Sequence, residues 1–129
     1  MPGSWAPGGA YEFQINNATG VAGVNWDRLN VTNALTISAL TSSARFTVKL
    51  ISLDVTNGVG TVTNFIKTGT YAWPMASFGS LAGTFSPGLF TVDAGGFVNP
   101  VSGSFTVVQN GAALELRYAP RSGTIMLVR

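Results

Sequence analysis

Residues 20–40 read GVAGVNWDRLNVTNALTISAL, and the spacing inside this stretch carries the fold class. Leu29 and Val31 alternate with polar neighbours, and so do Leu35 and Ile37. A repeat of two is the pattern of a strand with one buried face, because successive side chains point to opposite sides of the backbone. Asn33 lies between the two apolar pairs, and Asn tolerates the left-handed conformation that a corner requires. Trp26-Asp27-Arg28 is therefore expected to be a turn that launches the strand rather than a reactive triplet. Leu29 and Val31 face inward in this reading, Asn33 turns the corner, Leu35 and Ile37 continue the core, and Trp26 anchors the corner.

The same alternation runs outward in both directions. It covers Tyr11, Phe13 and Ile15, then Phe46, Val48 and Leu50, then Tyr71, Trp73 and Met75. Phe90 with Val92, Phe105 with Val107, Leu114 with Leu116 and Tyr118, and Ile125 with Leu127 complete it. No segment of comparable length has helical periodicity. At Leu50-Ile51 the apolar positions change parity, which predicts a bulge or a corner between sheets. Turn signals separate the runs at Asn16-Asn17, Asn57-Gly58, Pro87-Gly88, Gly95-Gly96, Asn99-Pro100, Asn110-Gly111 and Pro120. Pro74 cannot donate to a ladder, so its strand is expected to be an edge or to end there.

Composition narrows the chemistry. The 129 residues fit one domain, and only 9% are charged against 46% hydrophobic. No apolar run reaches the roughly 18 to 20 residues of a membrane-spanning helix. With no Cys and no His, the chain has no disulfide, no thiolate and no imidazole, the commonest general base and metal ligand. The seven basic residues are spread from Arg28 to Arg129 without a cluster, which argues against a nucleic-acid surface.

The five carboxylates, Glu12, Asp27, Asp54, Asp93 and Glu115, stand singly, whereas a glycosidase needs a pair about 5 to 10 Å apart. Glu12 and Glu115 each sit between apolar neighbours and are expected on the solvent side of their strands. The loops at Asp54 and Asp93 offer calcium one carboxylate each, a weak ligand set. A Ser or Thr nucleophile would have to rely on Lys49 or Lys67, and no Ser-x-x-Lys motif is present. No catalytic residue, cofactor or metal site is predicted, and the chain is read as a non-enzyme. The sequons at Asn17 and Asn30 are no more than an Asn- and Thr-rich chain produces by chance. Trp26, Tyr71 and Trp73 form the one candidate ligand platform, against a plainer role in the core.

At Trp26-Asp27-Arg28-Leu29-Asn30-Val31, followed by Asn33-Ala34-Leu35-Thr36-Ile37, the chain resembles the β-helix rungs of autotransporter-type passengers and of autotransporter-associated β-strand repeat proteins. YEFQINNATGVAGVNWDRLNV, FTVKLISL and FTVDAGGFVNPVSGSFTVVQNGAALELRYAP are similar to the C-terminal region of such exported bacterial proteins, many of which end in a PEP-CTERM sorting segment. The resemblance covers about residues 9–120 and rests on apolar and turn positions. It implies a right-handed parallel β-solenoid, with about six rungs at roughly 20 residues each. An antiparallel β-sandwich stays open beside it, because Asn57-Gly58 and Asn110-Gly111 are hairpin-type turns.

Residues 1–10, MPGSWAPGGA, are expected to be a flexible leader or an arm added outside the native chain, residues 11–120 a single all-β domain, and residues 121–129 an apolar strand or tail. The resemblance implies a structural protein, secreted or on the bacterial cell surface, whose export signal is absent from this chain. Such a protein would serve as scaffold, matrix or filament subunit, or alternatively as an adhesin or carbohydrate-binding module. Thr124, Ile125, Met126, Leu127 and Val128 form a strand without a local partner, so homo-oligomers are expected through β-edges or end-to-end contacts. A glycan or matrix ligand is the other expected partner, with no nucleic acid and no membrane span.

Overall fold

The computed structural model describes residues 5–120. Seven strands follow one another: β1 (Ala10–Ile15), β2 (Leu29–Thr36), β3 (Phe46–Ser52), β4 (Tyr71–Ala82), β5 (Phe90–Gly96), β6 (Gly103–Asn110) and β7 (Ala113–Pro120). A single 3-10 turn, Pro87–Leu89, precedes β5, with Ser86 Oγ accepting from the Gly88 amide. The chain is all-β, as the alternation predicts, and no helix among the described residues is long and apolar enough to cross a membrane.

The strands form two sheets, one ordered β1-β3-β5 and the other β2-β4-β7-β6. β1 with β3, β3 with β5 and β2 with β4 are parallel, whereas β7 is antiparallel to both β4 and β6. Parallel neighbours need a long crossover. Here each crossover carries a strand of the opposite sheet, so the first five strands alternate between sheets.

This arrangement corrects the six-rung parallel solenoid and fits a two-sheet sandwich better, although three of its five pairings are parallel. Ala10 stands opposite Thr47 and Phe46 opposite Phe90, so one circuit takes about forty residues rather than twenty. Parallel winding also stops at the Asn110-Gly111 turn. Gly111 takes φ 58°, Asn110 pairs with Ala113, and β7 folds back along β6 to occupy the free side of β4 in the antiparallel sense.

The inward faces of the two sheets meet in one core. Phe13, Ile15, Val48 and Leu50 come from one sheet, and Leu35, Trp73, Met75, Leu114, Leu116 and Tyr118 from the other. Phe13 and Trp73 span the layers with ring centroids 6.4 Å apart. The packed unit begins earlier than the expected boundary at residue 10. Trp5 is 5% exposed, stacks on Phe46 at 4.6 Å and donates its backbone N–H to Thr36 O at 2.9 Å.

Three local expectations change for physical reasons. The apolar parity switch at Leu50-Ile51 does not turn the strand over: Phe46, Val48, Leu50 and Ser52 all point inward, and Ser52 is fully buried. Its Oγ accepts from Val98 N at 2.8 Å and donates to Gly96 O at 3.3 Å, so a hydroxyl occupies an inward place at no unpaired cost. The register irregularity falls where expected, between Lys49 and Ile51, but β5 carries the extra residue. Asn33 is not a corner; it lies within β2 at a bulge between Val31 and Ala34, while Asn57 and Asn64 are the non-glycine residues at positive φ among those described.

Pro74 lies in a strand with neighbours on both sides, yet β2 runs beside β4 only from Ala76 onward. At Pro74 itself only the β7 side is paired, and the Pro74 carbonyl turns instead to the Trp26 indole, so the missing N–H falls on the side without a ladder.

Candidate functional site

The residues from Trp26 to Arg28 form a clasp between the sheets. Trp26 is 8% exposed, and its indole N–H donates to Pro74 O at 3.0 Å. Asp27 Oδ2 accepts from Gln14 N at 2.8 Å and Asp27 N donates to Gln14 O at 3.2 Å, which ties the segment to β1. Arg28 reaches Ser77 Oγ at 3.3 Å, and Ser77 donates to Asn30 Oδ1 at 2.6 Å. The triplet is thus a corner anchor, its indole N–H, one carboxylate oxygen of Asp27 and one guanidinium nitrogen of Arg28 all bonded to neighbouring segments.

Trp26, Tyr71 and Trp73 do not make a platform. Trp73 is 1% exposed and donates its indole N–H to Ala18 O at 3.1 Å. Tyr71 stacks on it at 5.6 Å and on Phe65 at 5.2 Å, and its hydroxyl accepts from Ile66 N and donates to Asn64 O. Tyr118, Phe97 and Phe105 continue the same cluster. A sugar ring needs an open aromatic face, and Tyr71 and Trp73 lie against each other and against Phe65, while Trp26 is buried apart from them. The self-association strand Thr124, Ile125, Met126, Leu127 and Val128 lies outside the described residues.

The carboxylates serve local structure. Asp54 Oδ1 accepts from Thr56 N at 2.8 Å, Thr56 Oγ1 at 2.6 Å and Gly58 N at 3.2 Å. Those bonds, the Thr56 hydroxyl foremost, hold its carboxyl below the usual range. Asp93 Oδ1 accepts from Gly95 N at 3.0 Å, within β5 where its register with β3 shifts. Glu12 is exposed as expected, but Glu115 is buried, held by Arg117 at 2.9 Å and by Asn110 Nδ2 at 3.0 Å. Among the described residues no three His, Cys, Asp or Glu side chains gather at a distance suited to a metal ion.

What the structure brings together instead is a set of amides. Asn25 Nδ2 donates to Asn16 Oδ1 at 3.0 Å, Asn16 Nδ2 donates to Asn57 Oδ1 at 2.7 Å, and Asn25 Oδ1 accepts from Val21 N at 2.9 Å. This relay joins the end of β1 to two loops and walls a cleft of about 310 Å³, with Val24, Trp26 and Leu53 as its apolar lining. Nearby, burial and then the Asp27 charge push the Tyr11 hydroxyl up to about 12. A second buried amide, Asn99, accepts from Val62 N at 2.7 Å and donates to Val62 O at 3.1 Å, imitating a strand neighbour. The sequence marks Asn16, Asn57 and Asn99 only as turn formers, since nothing in a linear pattern places residues this far apart in one network.

Comparison with family models, with curated proteins and with solved structures found no match to this chain.

Proposed function

We propose that the protein is a structural, non-catalytic β module that associates with further copies of itself through the open edge of β1. The observation that carries this reading is the direction of the β1 backbone. Gly9 O accepts from Thr47 N and Ile15 O from Leu53 N on the β3 side, while Gln14 bonds Asp27 on the other side. By alternation, Ala10, Glu12 and Gln14 turn their N–H and C=O groups away from β3. Gln14 is satisfied by Asp27, and Ala10 and Glu12 have no ladder partner among the described residues.

The opposite end is arranged differently. There β5 and β6 approach one another, with Phe97 and Phe105 5.2 Å apart. β1 thus offers unpaired outward backbone groups along its edge, the condition for strand addition by a second copy. The resemblance of residues 9–120 to autotransporter-associated repeat and PEP-CTERM-type proteins supports the same role at a bacterial cell surface or outside the cell, as scaffold, matrix or filament subunit. Thr124 to Val128, the second candidate for self-association, lie outside the described residues.

Light scattering and sedimentation of the full chain over a concentration series test this. Glu12→Pro removes an outward N–H without touching the β3 ladder, and it is expected to leave the thermal midpoint nearly unchanged while abolishing association. Glu12→Thr, which removes edge charge, is expected to strengthen it. A monomer at every concentration, or association indifferent to both substitutions and to truncation after residue 122, refutes the proposal.

A further inference from the structure

The amide cleft has properties that neither the core nor the edge requires. Its walls are preorganised: the Asn25-Asn16-Asn57 relay crosses three segments, and Asn57 is held at φ 64°. Its inner surface keeps hydrogen-bonding capacity unspent. The carboxamide of Gln14, the Nδ2 of Asn57 and the Oδ1 of Asp27 have no partner among the described residues. Donors and acceptors therefore face the same space, with no cation lining it and one carboxylate present.

A cleft of about 310 Å³ sits at the small end of the range for ligand sites. We infer that this cleft binds a neutral, hydroxyl-rich ligand of one sugar ring. Each hydroxyl of such a ligand both donates and accepts, which matches mixed amide and carboxylate groups. The lone Asp27 charge opposes phosphates and carboxylates, and the absence of a lining cation leaves nothing to offset them. Val24 and Leu53 line the same cleft and supply apolar contact for the C–H groups of a ring, while the buried Trp26 only shapes its wall. Sugar recognition thus moves from the aromatic cluster, which is closed, to amides that the chain folds into one place. This site does not depend on association through β1.

The test is a heteronuclear NMR titration of the full chain with glucose, galactose, mannose and N-acetylglucosamine in turn, with inorganic phosphate and acetate as anionic controls. Saturable shifts are expected for the side-chain amides of Gln14, Asn25 and Asn57 with at least one sugar and with neither anion. The double variant Gln14→Ala with Asn57→Gly, in which Gly keeps the positive φ, is expected to weaken binding at least tenfold while core amides such as Leu116 keep their positions. No saturable shift with any sugar, an equal response in the double variant, or a stronger response to phosphate or acetate overturns the inference.

Discussion

Replacing Trp73 with Ala separates a core role from a ligand platform. The indole lies between Phe13, Tyr71, Phe65 and Phe105, with centroid distances from 5.6 to 6.4 Å, and is 1% exposed. Truncating a buried Trp costs about 3 to 5 kcal/mol through lost contacts and the cavity left behind. The buried Ala18 carbonyl also loses its donor, a further cost of about 1 kcal/mol or more. A domain of this size has about 5 to 15 kcal/mol to lose. At a urea slope of about 1.5 kcal/mol per molar, a loss of about 4 to 6 kcal/mol moves the midpoint down by about 3 to 4 M. Trp73→Phe keeps one aromatic ring but removes the N–H and part of the bicycle, so a smaller loss of about 1 to 3 kcal/mol is expected. Urea unfolding followed by far-ultraviolet circular dichroism measures both. A Trp73→Ala protein within about 0.5 kcal/mol of the parent, the range of surface substitutions, refutes the core assignment and returns the indole to the surface.

Asn99→Ala strips both the donor and the acceptor from Val62, and it is expected to destabilise by about 2 to 4 kcal/mol in the same unfolding assay; a loss under about 0.5 kcal/mol denies the amide its strand-like role. Tyr11 gives a pH dependence of definite sign. Its native hydroxyl titrates at about 12 against 10.0 for an ordinary tyrosine, so its contribution is fully present below pH 10.0 and is lost as pH rises toward 12. At 1.36 kcal/mol per pH unit the ceiling is about 2.7 kcal/mol, and partial exposure reduces this to about 1 to 2 kcal/mol. Tyr11→Phe is expected to flatten that alkaline slope, and an identical slope in the variant assigns it to other groups.

The alternation at Tyr11, Phe13 and Ile15, at Phe46 to Leu50 and at Leu114 to Tyr118 locates β1, β3 and β7 and their buried faces, because a strand's period of two is written directly into side-chain polarity. Leu29, Val31 and Leu35 belong to one bulged strand that ends just before Ile37, rather than to two runs meeting at a corner, since the extra residue near Asn33 is hidden when only apolar positions are read. Ser52 shows the converse. Polarity alone puts it outside, and only the Val98 amide and Gly96 carbonyl beside it make its burial acceptable.

The candidate site was less legible. Trp26, Tyr71 and Trp73 are the right residue types for a sugar platform, but whether an aromatic face is open depends on Phe65, Phe97 and Phe105, which arrive from other strands. Asn16, Asn25 and Asn57 look like ordinary turn residues until three loops converge. By itself the sequence determines the all-β class, most strand positions, the inward faces and the Asn110-Gly111 hairpin. The tertiary structure alone decides which strands are neighbours, in which direction they run and which polar side chains share a cleft. The physical reason is that side-chain alternation records the face each residue buries, whereas sheet pairing is made by backbone N–H and C=O groups that are the same at nearly every position.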